Sequence, residues 1–114
     1  MGLCYLEGIG ITQNQAEAVK WFLTVAEQGH ADAQLKLGVC YLNGFGVSQD
    51  YEEAVKWFRK AAKQGNPEGL HCLGILYEMG IGVPRSRETA LYYYKQAKAA
   101  GADVDEAIQR VQRN

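Results

Sequence analysis

Proline is scarce: two among 114 residues, which excludes a proline-rich linker protein. Net charge is also nearly absent. Twelve Lys and Arg stand against 13 Asp and Glu, for a formal charge of -1, so the basic excess of a nucleic-acid or anionic-membrane binder is missing. No apolar run approaches the roughly 20 residues needed to span a bilayer. No charged segment followed by an apolar one opens the chain in the manner of a secretory signal. Met1 and Gly2 match a myristoylation start, but Leu6 stands where Ser or Thr is required.

Cysteine is few and odd in number. Cys4, Cys40 and Cys72 cannot all pair within one chain, whereas a secreted disulfide scaffold carries an even set. The expectation is reduced, half-buried thiols acting as small apolar residues. That favours a reducing compartment without identifying one. Histidine is limited to His30 and His71. His71 and Cys72 are neighbours in sequence, so on a helix they point about 100° apart and form no nucleophile–base pair. Cys-x-x-Cys and His-x-x-x-His pairs are both missing. No catalytic residue, metal site or cofactor is therefore expected.

Glycine, by contrast, is plentiful at 13 residues, and its placement is periodic. Gly2, Gly38 and Gly74 stand 36 residues apart, as do Gly8, Gly44 and Gly80, and Gly29, Gly65 and Gly101. Trp21, Trp57 and Tyr93 keep the same stride, with Tyr5, Tyr41 and Tyr77, and Phe22, Phe58 and Tyr94. So many registers at one period mean an array of like units, each incomplete without its neighbours.

Each unit reads as two helices. Ala33, Leu37 and Tyr41 form one helical stripe. Gly38 falls inside that helix, where it costs about 1 kcal/mol relative to Ala, so a neighbouring helix is expected to approach where a Cβ would block it. Gly44 supplies a left-handed cap, and Gly44 to Val47 form a tight loop. Asp50 with Glu53 reads as a capping box for the second helix, as does Asn14 with Glu17 one unit earlier; Ser86 caps the third. Asn66 followed by Pro67 is a helix start. Ala54, Phe58, Ala61 and Ala62 give the second helix its apolar face. The Gly-x-Gly stretches follow helices rather than strands and lack the third glycine of a nucleotide loop, so they read as helix caps. After Gly101 the period ends. Asp103 and Glu106 open a last helix, and Val104, Ala107, Ile108 and Val111 form its apolar stripe.

Leu37-Gly38-x-x-Tyr41 and Leu73-Gly74-x-x-Tyr77, with Ala18 to Phe22, Ala54 to Phe58 and Ala90 to Tyr94, resemble the tetratricopeptide pattern. The 36-residue period and the loops Gly8-Ile9-Gly10-Ile11, Gly44-Phe45-Gly46-Val47 and Gly80-Ile81-Gly82-Val83 are more similar to the Sel-one-like repeat (SLR) family. The resemblance extends to about Gly101. It implies an all-α fold: a right-handed α-α superhelix, or solenoid, of about three 36-residue helix-turn-helix repeats. The units are 1-29 (truncated), 30-65 and 66-101, and the capping helix is 103-113. Cysteine-rich relatives carry two cysteines per repeat, a spacing this chain lacks, so their disulfides and activities are not carried over. A Cys40–Cys72 bridge stays open if the Cα atoms lie within ~7 Å.

The resemblance implies a non-enzymatic scaffold or adaptor that binds a protein or peptide on a concave surface lined by first helices. The implied positions are Leu3 and Leu6 in the first unit, Asp32, Leu35, Lys36, Val39, Leu42 and Asn43 in the second, and Glu68, His71, Ile75, Glu78 and Met79 in the third. Leu3, Leu6, Val39, Leu42 and Ile75 would form an apolar floor for an extended peptide or amphipathic helix. Replacing Val39 and Leu42 by Asp would then abolish binding without unfolding. The competing account is that some of these residues pack between first helices. Two other functions stay open: weak self-association through the truncated N-terminal end, and a regulatory repeat region of a larger enzyme. The enzyme reading gains ground only if a polar pocket converges on His71. Tyr92 to Tyr94 circle their helix, so one ring must be exposed; with Arg85, Arg87, Lys95 and Lys98 they form a basic patch.

Overall fold

The computed structural model of the chain describes residues 15–113, and these form six helices: α1 (Gln15–Glu27), α2 (Ala31–Asn43), α3 (Tyr51–Lys63), α4 (Pro67–Met79), α5 (Arg87–Ala99) and α6 (Asp105–Arg113). There is no strand among the described residues. Helices α1, α3 and α5 begin at positions 15, 51 and 87, and α2 and α4 at 31 and 67, so the stride of the sequence is the stride of the structure. Each helix packs on its chain neighbours, as a solenoid requires. The expectations for Met1 to Asn14, including Leu3, Leu6 and the Asn14 cap, lie outside the described residues.

Local chemistry explains the boundaries. Asn66 Oδ1 accepts the Gly69 amide at 2.7 Å, and Pro67 fills the first turn of α4. Ser86 Oγ accepts the Thr89 amide at 3.1 Å. Asp50 Oδ1 accepts the amides of Glu52 and Glu53, both at 3.1 Å, so half of the expected capping box forms. The reciprocal half does not, because the Asp50 amide donates instead to the Tyr41 carbonyl at 2.9 Å. The Ser86 amide makes the matching bond to Tyr77. That bond ties each loop back to the first helix of its own pair. Gly44 and Gly80 end α2 and α4 at φ of 74° and 72°, as their cap role demands. At the C-terminal end α6 starts at Asp105, which makes Val104 rather than Asp103 the residue before the helix.

The mid-helix glycines have the expected cause. A Cβ at Gly38 would lie 2.6 Å from ring carbons of Phe58, and one at Gly74 would lie 2.6 Å from ring carbons of Tyr94. Each first helix therefore presses its bare backbone against an aromatic ring of the second helix. Ala54, Phe58 and Ala61 are fully buried around the first contact, and Ala90, Tyr94 and Ala97 around the second. A buried amide joins three helices: Gln34 Nε2 donates to the Ala26 carbonyl at 3.1 Å, while Gln64 Nε2 donates to Gln34 Oε1 at 2.9 Å. Val104, just before α6, and Ala107 and Val111 within it are buried against Leu70, Ala90, Tyr94 and Ala97, so the last helix covers the third pair.

The thiols depart from expectation. Cys40 is free and fully buried, and burial pushes its thiol up to about 11. Cys72 is disulfide-bonded, which corrects the expectation of three reduced thiols, and the Cys40–Cys72 bridge does not form.

Candidate functional site

The first-helix positions expected to form one continuous surface are divided by packing into three sets. Leu35, Val39 and Leu42 form the first set and are buried in a cluster with Phe58, Cys72, Leu73 and Leu76. They are the seam between α2 and α4, not a floor open to a ligand. For Val39 and Leu42 this departs from the expected apolar floor; Leu3 and Leu6 lie outside the described residues, and Ile75 is half-buried. Apolar residues at these positions stabilise more by joining neighbouring repeats than by facing water, at about 25 cal/mol per Å² buried. Asp at 39 or 42 would therefore unfold the array rather than silence binding.

The second set lies toward α1. Asp32 and Lys36 line a cleft of about 200 Å³ with Trp21, Phe22 and Val25. The Lys36 ammonium sits 5.7 Å from the Phe22 ring centroid, and Asn66 Nδ2 donates to Asp32 Oδ1 at 3.2 Å. Asn43, at the end of α2, donates from Nδ2 to the Val39 carbonyl at 3.1 Å.

The third set lies toward α6. His71 and Ile75 line a cleft of about 250 Å³ with Asp103, which precedes the last helix, and Glu106 and Arg110 within it. Glu78 stands beside it and is half-buried; Glu68 and Met79 are exposed at the two ends of α4. Arg110 grips Glu78 in a bidentate pair, Nε to Oε2 at 2.7 Å and Nη2 to Oε1 at 2.8 Å. Tyr94 donates its hydroxyl to Glu78 Oε1 at 2.7 Å. The Arg110 hydrogen bonds hold the Glu78 carboxyl below its ordinary range despite burial, and burial together with Glu78 raises the Tyr94 phenol. His71 lies edge-on to Tyr94 at 5.7 Å. Burial, then Arg110, lowers its pKa and keeps the ring neutral. Its Nδ1 is buried without a hydrogen-bond partner.

A polar cleft does converge on His71, the condition set for an enzyme. The orienting hydrogen bond that would make the imidazole a directed general base is missing at Nδ1. No cluster of three or more His, Cys, Asp or Glu fit to hold a metal occurs among the described residues. What the cleft offers is recognition: two exposed carboxylates, a paired guanidinium and a neutral imidazole.

The Sel1 repeat model matches residues 1–30, 31–66 and 67–101. The chain belongs to the Sel1 repeat family. Among solved structures, the Sel1 array resembles c5321, a protective antigen present in uropathogenic Escherichia coli strains and displaying an SLR fold. The two share 42% identity over 89% of this chain and 22% of that one, with a TM-score of 0.78. It also resembles a Sel1 repeat protein from Oxalobacter formigenes, at 41% identity over 83% of this chain and 39% of that one, with a TM-score of 0.75. Helicobacter pylori cysteine rich protein B shares the fold at 23% identity, with a TM-score of 0.78 over 84% of this chain and 72% of that one. The chain thus spans well under half of the first two relatives. No curated protein matches it. Sel1 repeats are generally protein-interaction scaffolds, and no helix among the described residues is long and apolar enough to cross a membrane.

The residues that sequence reasoning missed are Asp103, Glu106 and Arg110. Their signal was present: His71 and Glu78 occupy the positions of Leu35 and Leu42 one stride on. A polar pair at a seam position asks for a polar neighbour, and α6 supplies it.

Proposed function

We propose that this Sel1 array is a non-enzymatic scaffold that engages a protein partner through the α4–α6 cleft. The observation that carries this reading is the convergence of exposed Asp103 and Glu106 beside His71 and Arg110, in a first-helix layer whose apolar side chains are used up in packing. The partner segment is polar and carries a cation to meet the two carboxylates. Reversing both charges (Asp103→Lys with Glu106→Lys) removes partner capture while the helical signal stays that of the parent, since both side chains are exposed and cations at the start of α6 cost only about 1 kcal/mol. Undiminished capture by that variant overturns the reading.

A second reading rests on Trp21. It is 63% exposed, whereas Trp57, one stride later, is 5% exposed among Val19, Ala26 and Tyr41. An exposed indole at a stacking position favours self-association through the α1 face. Sedimentation over a hundredfold range of concentration tests it; a monomer throughout removes it.

A further inference from the structure

The second-helix side of the array carries a different cleft. It measures about 260 Å³ and lies between α3 and α5, with Leu70 of α4 at its floor and the core residue Leu73 beneath. Arg59 and Lys63 stand on the α3 wall, and Tyr92 and Tyr93 on the α5 wall. The aromatic wall is preformed. Tyr93 stacks on Tyr77 at 5.6 Å, Tyr92 meets Tyr93 edge-on at 5.2 Å, and Arg59 donates to the Tyr77 hydroxyl at 2.6 Å. Tyr92 nevertheless presents 58% of its surface to solvent. Among the described residues no carboxylate lines the cleft. Arg59 and Lys63 form no ion pair among the described residues, although Lys56, Lys98 and Arg110 do.

The repeat supplies an internal control. The positions of Arg59 and Lys63 are held by Leu23 and Glu27 one stride earlier, and by Lys95 and Ala99 one stride later. Stacking of repeats therefore does not require two cations there. Tyr92 replaces Lys20 and Lys56, exposed lysines in the earlier units. Its edge-on contact with Tyr93 leaves most of the ring in solvent where the earlier units carry an ammonium. One stride before the cleft, Trp57 fills the place of Tyr93, and the ammonium groups of Lys56 and Lys60 lie 5.4 and 4.9 Å from its ring centroid. There the cations are spent on the array's own indole. At the α3–α5 cleft the smaller ring leans on Tyr77; Arg59 donates a hydrogen bond to the Tyr77 hydroxyl, and neither it nor Lys63 forms an ion pair among the described residues.

We propose that the α3–α5 cleft docks an acidic peptide segment, seating an aromatic or aliphatic side chain over Leu70 and Ala62 against Tyr92 while flanking carboxylates meet Arg59 and Lys63. Buried apolar contact gives affinity, and the two cations give sign selectivity and salt dependence. The surface is separate from the α4–α6 cleft, and the two carry opposite requirements: a cationic partner there, an anionic one here.

The test uses the full chain and a fluorescent peptide with one phenylalanine between two runs of three glutamates. Saturable binding that weakens with salt is expected. Arg59→Glu with Lys63→Glu weakens it by at least about tenfold, and Tyr92→Ala by about fivefold or more, magnitudes typical of central interface residues. All three side chains are exposed, so circular dichroism and melting temperature stay those of the parent. Asp103→Lys with Glu106→Lys leaves this binding unchanged, which separates its failure from that of the first-helix reading. Amide shifts in NMR should map to Leu70, Ala62 and Tyr92. No saturation, equal binding of the lysine-for-glutamate peptide, indifference to the Arg59 and Lys63 reversal, or tighter binding of a single-stranded oligothymidylate of equal charge would each overturn the proposal.

Discussion

The α2–α4 seam and the α4–α6 seam occupy the same register and are built from opposite chemistry. Upstream, Leu35, Val39 and Leu42 close on Leu73 and Leu76, with Phe58 behind them. One stride on, the corresponding residues are His71, Ile75 and Glu78, with Tyr94 behind them and Arg110 in front. The two sets of substitutions answer each other. A hydroxyl on the ring at Phe58's position needs an acceptor, and the carboxylate at Leu42's position provides one. That carboxylate needs a cation, and α6 brings it. An internal seam is dry and interchangeable with any apolar face of the right shape. The α4–α6 seam suits a helix that presents a guanidinium at the right turn, as α6 does with Arg110.

The largest effect should come from placing charge in the dry seam. Val39→Asp with Leu42→Asp is expected to unfold the array outright, because two unpaired buried carboxylates cost several kcal/mol against a total stability of about 5–15 kcal/mol. Loss of the far-ultraviolet helical signal at 25 °C is the readout; a folded double variant would mean that the seam is not a core. Next come the ring-backed glycines. Gly38→Ala and Gly74→Ala each force a methyl into an aromatic ring and should destabilise by about 1–3 kcal/mol in urea titration, against the gain that Ala normally brings to a helix interior.

Smaller effects would sharpen the contrast. Glu78→Gln breaks the bidentate pair at a half-exposed site and should cost only about 1 kcal/mol. Converting the α4–α6 seam to the α2–α4 chemistry, with Glu78→Leu, Tyr94→Phe and Arg110→Leu together, is expected to be neutral or stabilising despite removing more hydrogen bonds. If the triple variant is less stable than the single one, the polar seam stabilises more than an apolar one.

The smallest effects are those of pH. Glu78 has a folded pKa below its ordinary value, so its contribution is complete above that value and is lost as acid protonates the folded carboxyl. His71 also has a lowered pKa. The unfolded chain takes up the proton first, and stability falls as pH drops below about 6.5, the ordinary His value. Urea midpoints between pH 7.5 and 3 should show two declines. His71→Gln should remove the upper one and Glu78→Gln the lower.

How much was legible follows from what a periodic pattern encodes. The stride, the helix pairs, the Gly44 and Gly80 caps and the close approach at Gly38 could all be read from the chain, since each is fixed by the residue itself and its own repeat. The stripe of α6 was legible for the same reason. The site was not. Whether Val39 faces a partner or a neighbouring helix depends on how far each repeat rotates on the last, and spacing along one helix does not record that rotation. Asp50 teaches the same lesson on a smaller scale: Glu53 is correctly placed for the box, but a carbonyl from the previous helix takes the Asp50 amide first. The disulfide at Cys72 was out of reach of counting, which treats three thiols alike.

The rings of Phe58 and Tyr94 press against bare helix backbone at Gly38 and Gly74, so a half-turn of either ring should require the two helices to part. Their flip rates therefore clock the breathing of each helix pair separately, from inside the array and without any label. Tyr94, moored at its hydroxyl as well, should turn more slowly than Phe58. Slow flipping at both would give distinct resonances for the two edges of each ring.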